Sequence, residues 1–346
     1  MITALRPAFT LRRLIAALLL LGSADAFAET PALPALGAAQ EASVVGVSSG
    51  GYMAAQLAVA WPERFTGLGL VAAGPWGCAQ GALSLALRQC MSTRQGLPSL
   101  ETLDERLASY RTQGLAGDEA ALESVRVYVR HGDGDEVVSP ELGALAARQW
   151  RHWVDREAVR FTSAAHGHGW PVRLDDEESL GPYALGGCRQ GGGSYMLACD
   201  DDMAGEMLDW LYPERPSAPS EGALVPFDQA EFAVKGLADT GYLFVPEQCR
   251  DQPCPVTLAL HGCQMSANDI GDVFVRYSGL NRWAAEHAQL VLYPQAQASL
   301  ANPQGCWDWW GFAESAWQPN PHHDTRDGVQ ARALMAMLDR LETPGD

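Results

Sequence analysis

Gly46-Val47-Ser48-Ser49-Gly50 sets a serine between glycines two residues before and two residues after it, the G-x-S-x-G spacing. The apolar run 43–47 precedes it, and "GYMAAQLAVAW" (51–61) reads as a helix behind it. In a strand–turn–helix context this spacing reads as a nucleophile elbow. The glycines permit a strained turn that presents Ser48 Oγ and lets strand and helix approach closely. A serine hydroxyl is a weak nucleophile at neutral pH, so it needs a base, and the base needs an orienting acid. In this architecture acid and base follow the serine in that order, each in a loop after a later strand. "VRVYVRHGDGDEVVSP" (125–140) offers Asp135, with Asp133 as the fallback. "SAAHGHGWP" (163–171) offers His168, flanked by glycines, or else His166. Two backbone N–H donors must then face the developing oxyanion. Ser49 supplies one. The strand and loop "LALHGCQM" (258–265) supplies the other from Cys263, which leaves His261 a structural role.

The elements that must hold these residues alternate. Strands are expected at 43–47, 65–74, 125–132 and 157–164, and helices at 51–61, 140–156 and 201–212. After the Pro/Ser-rich stretch 213–226 come strands in "GYLFVP", "PVTLALHG" and "QLVLYPQ", with helices over 276–288 and 326–342. The βα alternation predicts an α/β fold, a mostly parallel sheet with helices on both faces. The oxyanion strand follows the whole serine–acid–base series, where it ordinarily precedes the elbow. A circularly permuted α/β-hydrolase accounts for that order, with 213–226 as the connector joining the permuted halves. Residues 29–346 are then one catalytic domain.

Arg6, Arg12 and Arg13, the apolar run 14–21 and Ala26-Phe27-Ala28 read as a signal peptide cleaved after residue 28. The run is too short to span a bilayer. The chain is expected to be secreted, to the periplasm or the medium. Its formal net charge of −18 argues against nucleic acid and anionic lipid as partners. The eight cysteines, an even number in an exported chain, point to disulfides. No CxxC spacing marks a zinc site. Local pairing gives Cys78–Cys90, Cys188–Cys199 and Cys249–Cys254 and leaves Cys263–Cys306, the simplest of on the order of a hundred connectivities. His322-His323-Asp324 reads as an exposed turn, so no metal and no cofactor are expected.

The segments "GVSSGGYMAAQLAVA", "DTGYLFVP", "LALHGCQ", "VLYPQA" and "GCWDWWGF" together resemble the catalytic domain of extracellular poly(3-hydroxybutyrate) depolymerases, in the subgroup whose serine box precedes the oxyanion motif. The chain is similar to the single-domain fungal enzyme as well. The resemblance implies Ser48, Asp135 and His168 as the triad, Ser49 and Cys263 as oxyanion donors, and all four local disulfides. It also implies that Trp307 lies beside the active serine and binds substrate. Many secreted members carry a further polymer-binding domain, which this sequence does not show. The expected protein is a monomeric serine esterase cleaving poly- or oligo-(R)-3-hydroxybutyrate through an acyl-enzyme. A carbohydrate (acetyl or feruloyl) esterase and a non-catalytic polymer-binding protein are the alternatives.

Overall fold

The structure, a computed structural model, describes residues 1–2, 30–173, 183–314 and 321–345. The expected leader lies outside the described residues, apart from its first two. Eight strands form one sheet: β1 (Ala42–Val47), β2 (Phe65–Val71), β3 (Arg126–Gly132), β4 (Val159–Ala164), β8 (Gly222–Asp228), β9 (Thr240–Pro246), β10 (Val256–Leu260) and β11 (Leu290–Tyr293). β5 (Trp170–Val172), β6 (Gly186–Gly187) and β7 (Met196–Ala198) make a small second sheet. In space the large sheet runs β4-β3-β2-β1-β10-β11-β9-β8. It is parallel from β4 to β11 and antiparallel at β11/β9 and β9/β8.

Every residue of β1 is buried, as a central strand covered on both faces requires. Alternation along the strands then assigns side chains to two cores. Val44, Leu258 and Leu292 enter the core shared with the helices Ser49–Ala60, Pro140–Trp153 and Val329–Glu342. Val45, Ala259 and Val291 enter the core on the other face, with the helices Met203–Leu211 and Leu280–Glu286. The α/β fold with helices on both faces is therefore present.

Two expected elements differ. The second part of the 213–226 connector is strand, because residues 222–228 pair with β9 along the sheet edge. An edge strand tolerates Pro226, whose missing N–H would break an interior ladder. The helix expected over 276–288 is two short ones, Val273–Tyr277 and Leu280–Glu286, divided at Gly279 with φ 84°. That left-handed backbone suits glycine and ends a right-handed helix.

Topology brings the loops together. β1 lies between β2 and β10, with Gly46 level with Leu260, so the serine turn and the 261–263 loop emerge side by side. Gly132 pairs with Ala164, so the 133–138 loop emerges beside the 165–169 loop. All four loops leave the C-terminal ends of parallel strands, the usual edge for a site in such a sheet.

Candidate active site

Ser48 adopts φ 55° and ψ −120°, a left-handed backbone for a residue with a side chain. The strain is held by packing. A Cβ on Gly46 would strike the Gly50 carbonyl, and one on Gly50 would strike the Leu260 and His261 carbonyl oxygens. Strand, turn and helix can approach this closely only with glycine at both places.

Ser48 Oγ lies 3.0 Å from His168 Nε2, and His168 Nδ1 lies 2.7 Å from Asp135 Oδ2. Asp135 Oδ1 accepts the Val137 and Val138 N–H groups at 2.9 and 2.8 Å. Burial alone would raise the Asp135 pKa. Hydrogen bonds from His131 and His168 outweigh it and hold the carboxyl well below the usual carboxylate range. An ionised Asp135 fixes the His168 tautomer with Nε2 free to accept the serine proton.

The alternative residues are engaged elsewhere. Asp133 is exposed and accepts from Ser163 Oγ. His166 lies 2.8 Å from the Gly167 carbonyl through Nδ1 and accepts from Arg130 Nε through Nε2 at 3.3 Å. Its burial lowers its pKa and keeps it neutral. His322, His323 and Asp324 do not converge on one point. Asp324 accepts from Arg106 and Tyr110, and the His323 ring lies between the carbonyls of Pro321 and Trp309. Among the described residues no cluster of His, Cys, Asp and Glu forms a metal site.

Ser49 opens the helix Ser49–Ala60, so its N–H has no intrahelical acceptor. The Cys263 N–H makes no hydrogen bond among the described residues. Gly262 brings that loop against Ser48, with only van der Waals room for a Cβ between them. His261 fixes the loop from below: Nδ1 meets the Gly262 carbonyl at 2.6 Å and Nε2 accepts the Ala296 N–H at 3.0 Å. Burial pushes the His261 imidazole down to about 4. The cysteines form four disulfides: Cys78–Cys90, Cys188–Cys199, Cys249–Cys254 and Cys263–Cys306. The last ties the 261–263 loop to the tryptophan segment 305–312.

A cleft of about 240 Å3 opens at Ser48, walled by Tyr52, Leu83, Leu87, Met91, Trp309 and Trp310. A smaller lobe of about 50 Å3 continues past Ser48 to His168, Tyr195 and Met265. Leu83 and Leu87 are 49% and 50% exposed, so the cleft has an apolar rim. The structure places Trp307 away from the cleft surface. Its side chain is fully buried, and its Nε1 donates to the His261 carbonyl at 2.9 Å. It lines neither lobe. Trp309, stacked on Tyr52 at 4.4 Å, and Trp310 face the cleft instead. The aromatic run was legible, but its orientation was not, because irregular backbone gives no period from which to read a face. Leu83, Leu87 and Met91 were missed, since nothing in the sequence ties residues 83–91 to Ser48.

A serine hydrogen-bonded to an imidazole at the C-terminal edge of this sheet is the arrangement that serine hydrolases of the α/β-hydrolase fold share. No protein-family model matches the chain. Individual proteins do. The poly(3-hydroxybutyrate) depolymerase of Delftia acidovorans is 32% identical over 315 residues, which cover 88% of this chain. The chain spans 60% of that relative's length. The polyhydroxybutyrate depolymerase of Talaromyces funiculosus is 32% identical over 347 residues, covering 94% of this chain and 96% of that one. Two solved structures, the PHB depolymerase from Penicillium funiculosum and a PHB depolymerase with a serine replaced by alanine in complex with an R3HB trimer, each superpose with a TM-score of 0.79. Each is 29% identical and covers 91% of this chain and 100% of its own. The chain belongs to the poly(3-hydroxybutyrate) depolymerase family.

Proposed function

We propose that the protein hydrolyses the ester bonds of poly- or oligo-(R)-3-hydroxybutyrate through an acyl-enzyme. The observation that carries this reading is the hydrogen-bonded series Ser48–His168–Asp135 at the floor of an apolar cleft. Ser48 Oγ attacks the ester carbonyl while His168 Nε2 takes its proton. The carbonyl oxygen becomes an oxyanion facing the Ser49 and Cys263 N–H groups, which bind it more strongly than the uncharged carbonyl. His168 returns the proton to the leaving alkoxyl oxygen as the carbon–oxygen bond breaks. Water repeats the sequence on the acyl-enzyme and releases Ser48. Asp135 remains ionised throughout and stabilises the imidazolium.

The substrate reading draws on the relatives, one of which was solved with an R3HB trimer. The apolar walls suit a polyester of methyl-bearing units. Four disulfides support an exported protein, and no described helix is long and apolar enough to cross a membrane. In the same reading residues 29–346 are one catalytic domain, and the strand order, with β8 to β11 completing the sheet begun by β1 to β4, supports circular permutation.

The test is hydrolysis of (R)-3-hydroxybutyrate trimer and of methyl ferulate by purified protein and by Ser48→Ala, His168→Ala and His166→Ala. Trimer should be the better substrate. Ser48→Ala and His168→Ala should each lose on the order of 10³-fold or more in kcat, whereas His166→Ala should be mild. Preference for methyl ferulate would move the protein to the carbohydrate esterases. A dead His166→Ala beside an active His168→Ala would reassign the base.

A further inference from the structure

His131 is the penultimate residue of β3, one before Gly132, and its ring is buried. Its Nε2 lies 2.9 Å from the Val138 carbonyl oxygen and 3.3 Å from Asp135 Oδ2. That carboxylate oxygen is the one His168 Nδ1 meets at 2.7 Å. Two oxygens therefore face Nε2, and both can only accept. A lone pair on Nε2 would oppose them, whereas a proton satisfies them.

The other ring nitrogen points to the same tautomer. His131 Nδ1 is buried and has no hydrogen-bond partner among the described residues. It lies against the helix Pro140–Trp153 at Gly143, where a Cβ would strike the ring. A proton on Nδ1 would be a buried donor without an acceptor, which is unfavourable. Glycine inside a helix is itself less favourable than alanine. At position 143 it leaves the space the imidazole occupies.

We infer that His131 is a positioning residue for hydrolysis: a fixed, neutral Nε2–H donor that holds the Asp135 carboxylate in the orientation His168 requires. The inference rests on the triad reading above. With it, each Asp135 oxygen receives two donors. Oδ1 takes the Val137 and Val138 N–H groups, and Oδ2 takes His131 and His168. Rotation of the carboxylate would break hydrogen bonds at both oxygens. His131 and His168 therefore share the negative charge on Oδ2. The neighbouring ionisable groups are engaged elsewhere. Arg130 bonds His166 and Asp201, Asp133 bonds Ser163, and Tyr52 donates to the Cys90 carbonyl.

The test compares the pH dependence of kcat and kcat/KM, on trimer and on p-nitrophenyl butyrate, for the wild type, His131→Leu, His131→Gln and Asp135→Asn. Leu removes the donor. The Gln amide nitrogen reaches about where Nε2 was. We expect His131→Leu to lose about 10-fold in kcat on both substrates with KM unchanged. The acid limb of its kcat/KM profile should rise by about half a pH unit, because Asp135 then serves His168 alone. His131→Gln should recover most of both effects. A folded His131→Leu with wild-type kcat and profile overturns the inference, and so does a His131→Gln as impaired as His131→Leu, which would leave only a packing role. Asp135→Asn separates the two levels. If it stays active, the triad reading falls and this inference with it; if it is inactive while His131→Leu is fully active, only this inference falls. Should His131→Leu not fold, 15N NMR of the wild type still decides. The His131 proton should reside on Nε2 across the active pH range, and a proton on Nδ1 overturns the inference.

Discussion

Replacing Trp307 and Trp310 separately distinguishes an indole that supports the site from one that lines it. Trp307 is fully buried, donates to the His261 carbonyl and packs against the His261 ring at 5.3 Å. Truncating a buried tryptophan to alanine costs about 3–5 kcal/mol. Leaving the His261 carbonyl without its donor adds roughly 1 kcal/mol. Against a total stability on the order of 5–15 kcal/mol, Trp307→Ala should lower Tm by on the order of 10 °C. His261 precedes the Gly262-Cys263 turn, so the loop proposed to hold the oxyanion loosens as well. Turnover of trimer and of p-nitrophenyl butyrate should therefore fall together. Trp310 is half-buried and lies on the cleft wall. Trp310→Ala should leave Tm within a few degrees of wild type and reduce kcat/KM on trimer by roughly 10–200-fold, with little change on p-nitrophenyl butyrate. The small ester makes few contacts away from the oxyanion site, whereas the oligomer is positioned by its neighbouring units. Thermal melts and kcat/KM on both substrates are the assay. A Trp307→Ala variant of wild-type stability that loses trimer hydrolysis selectively would refute this reasoning and return Trp307 to the substrate site.

Two further outcomes follow from the loops. The Cys263–Cys306 disulfide closes the longest of the four loops, with a sequence separation of 43, so the paired Cys263→Ser/Cys306→Ser variant should lose about 4 kcal/mol in urea melts. Its ester turnover should fall in conditions where it remains folded. Full activity there would mean that the disulfide does not brace the oxyanion loop. The buried, neutral His261 also makes stability depend on pH. Its folded pKa lies below the unfolded one, so its contribution is complete above about pH 6.5 and is lost as the pH falls toward 4. About 2 kcal/mol should be gone by pH 5, and His166, lowered in the same direction by burial, adds to the loss. Asp135 does not contribute in this window, because a depressed carboxylate loses its share only below the unfolded carboxylate range near pH 4. Equal urea stability at pH 7.5 and pH 5 would contradict this account, and a folded His261→Gln variant should flatten the slope.

The sequence by itself determined what is local. The G-x-S-x-G turn can be read because its pattern is local: Gly46 must clear the Gly50 carbonyl within five residues, although what excludes a side chain at Gly50 is the distant Leu260 and His261 carbonyls. The α/β class can be read because strand and helix periods differ. The chemistry of the candidate site can be read because few residue types activate a serine. The tertiary structure decided what depends on approach between distant segments. Asp135 and Asp133 share one loop, and the sequence ranks Asp135 first without showing that only its carboxylate turns inward to meet His168. Trp307 and Trp310 lie in one run of aromatics, yet packing against His261 buries one while the other faces the cleft. Leu83 and Leu87 wall a cleft whose serine is more than thirty residues away. His131 carries no sequence signature beyond its place before a glycine. Its proposed role comes from a carbonyl, a carboxylate and a helix glycine that converge on one ring only when β3, its loop and the helix Pro140–Trp153 are packed together.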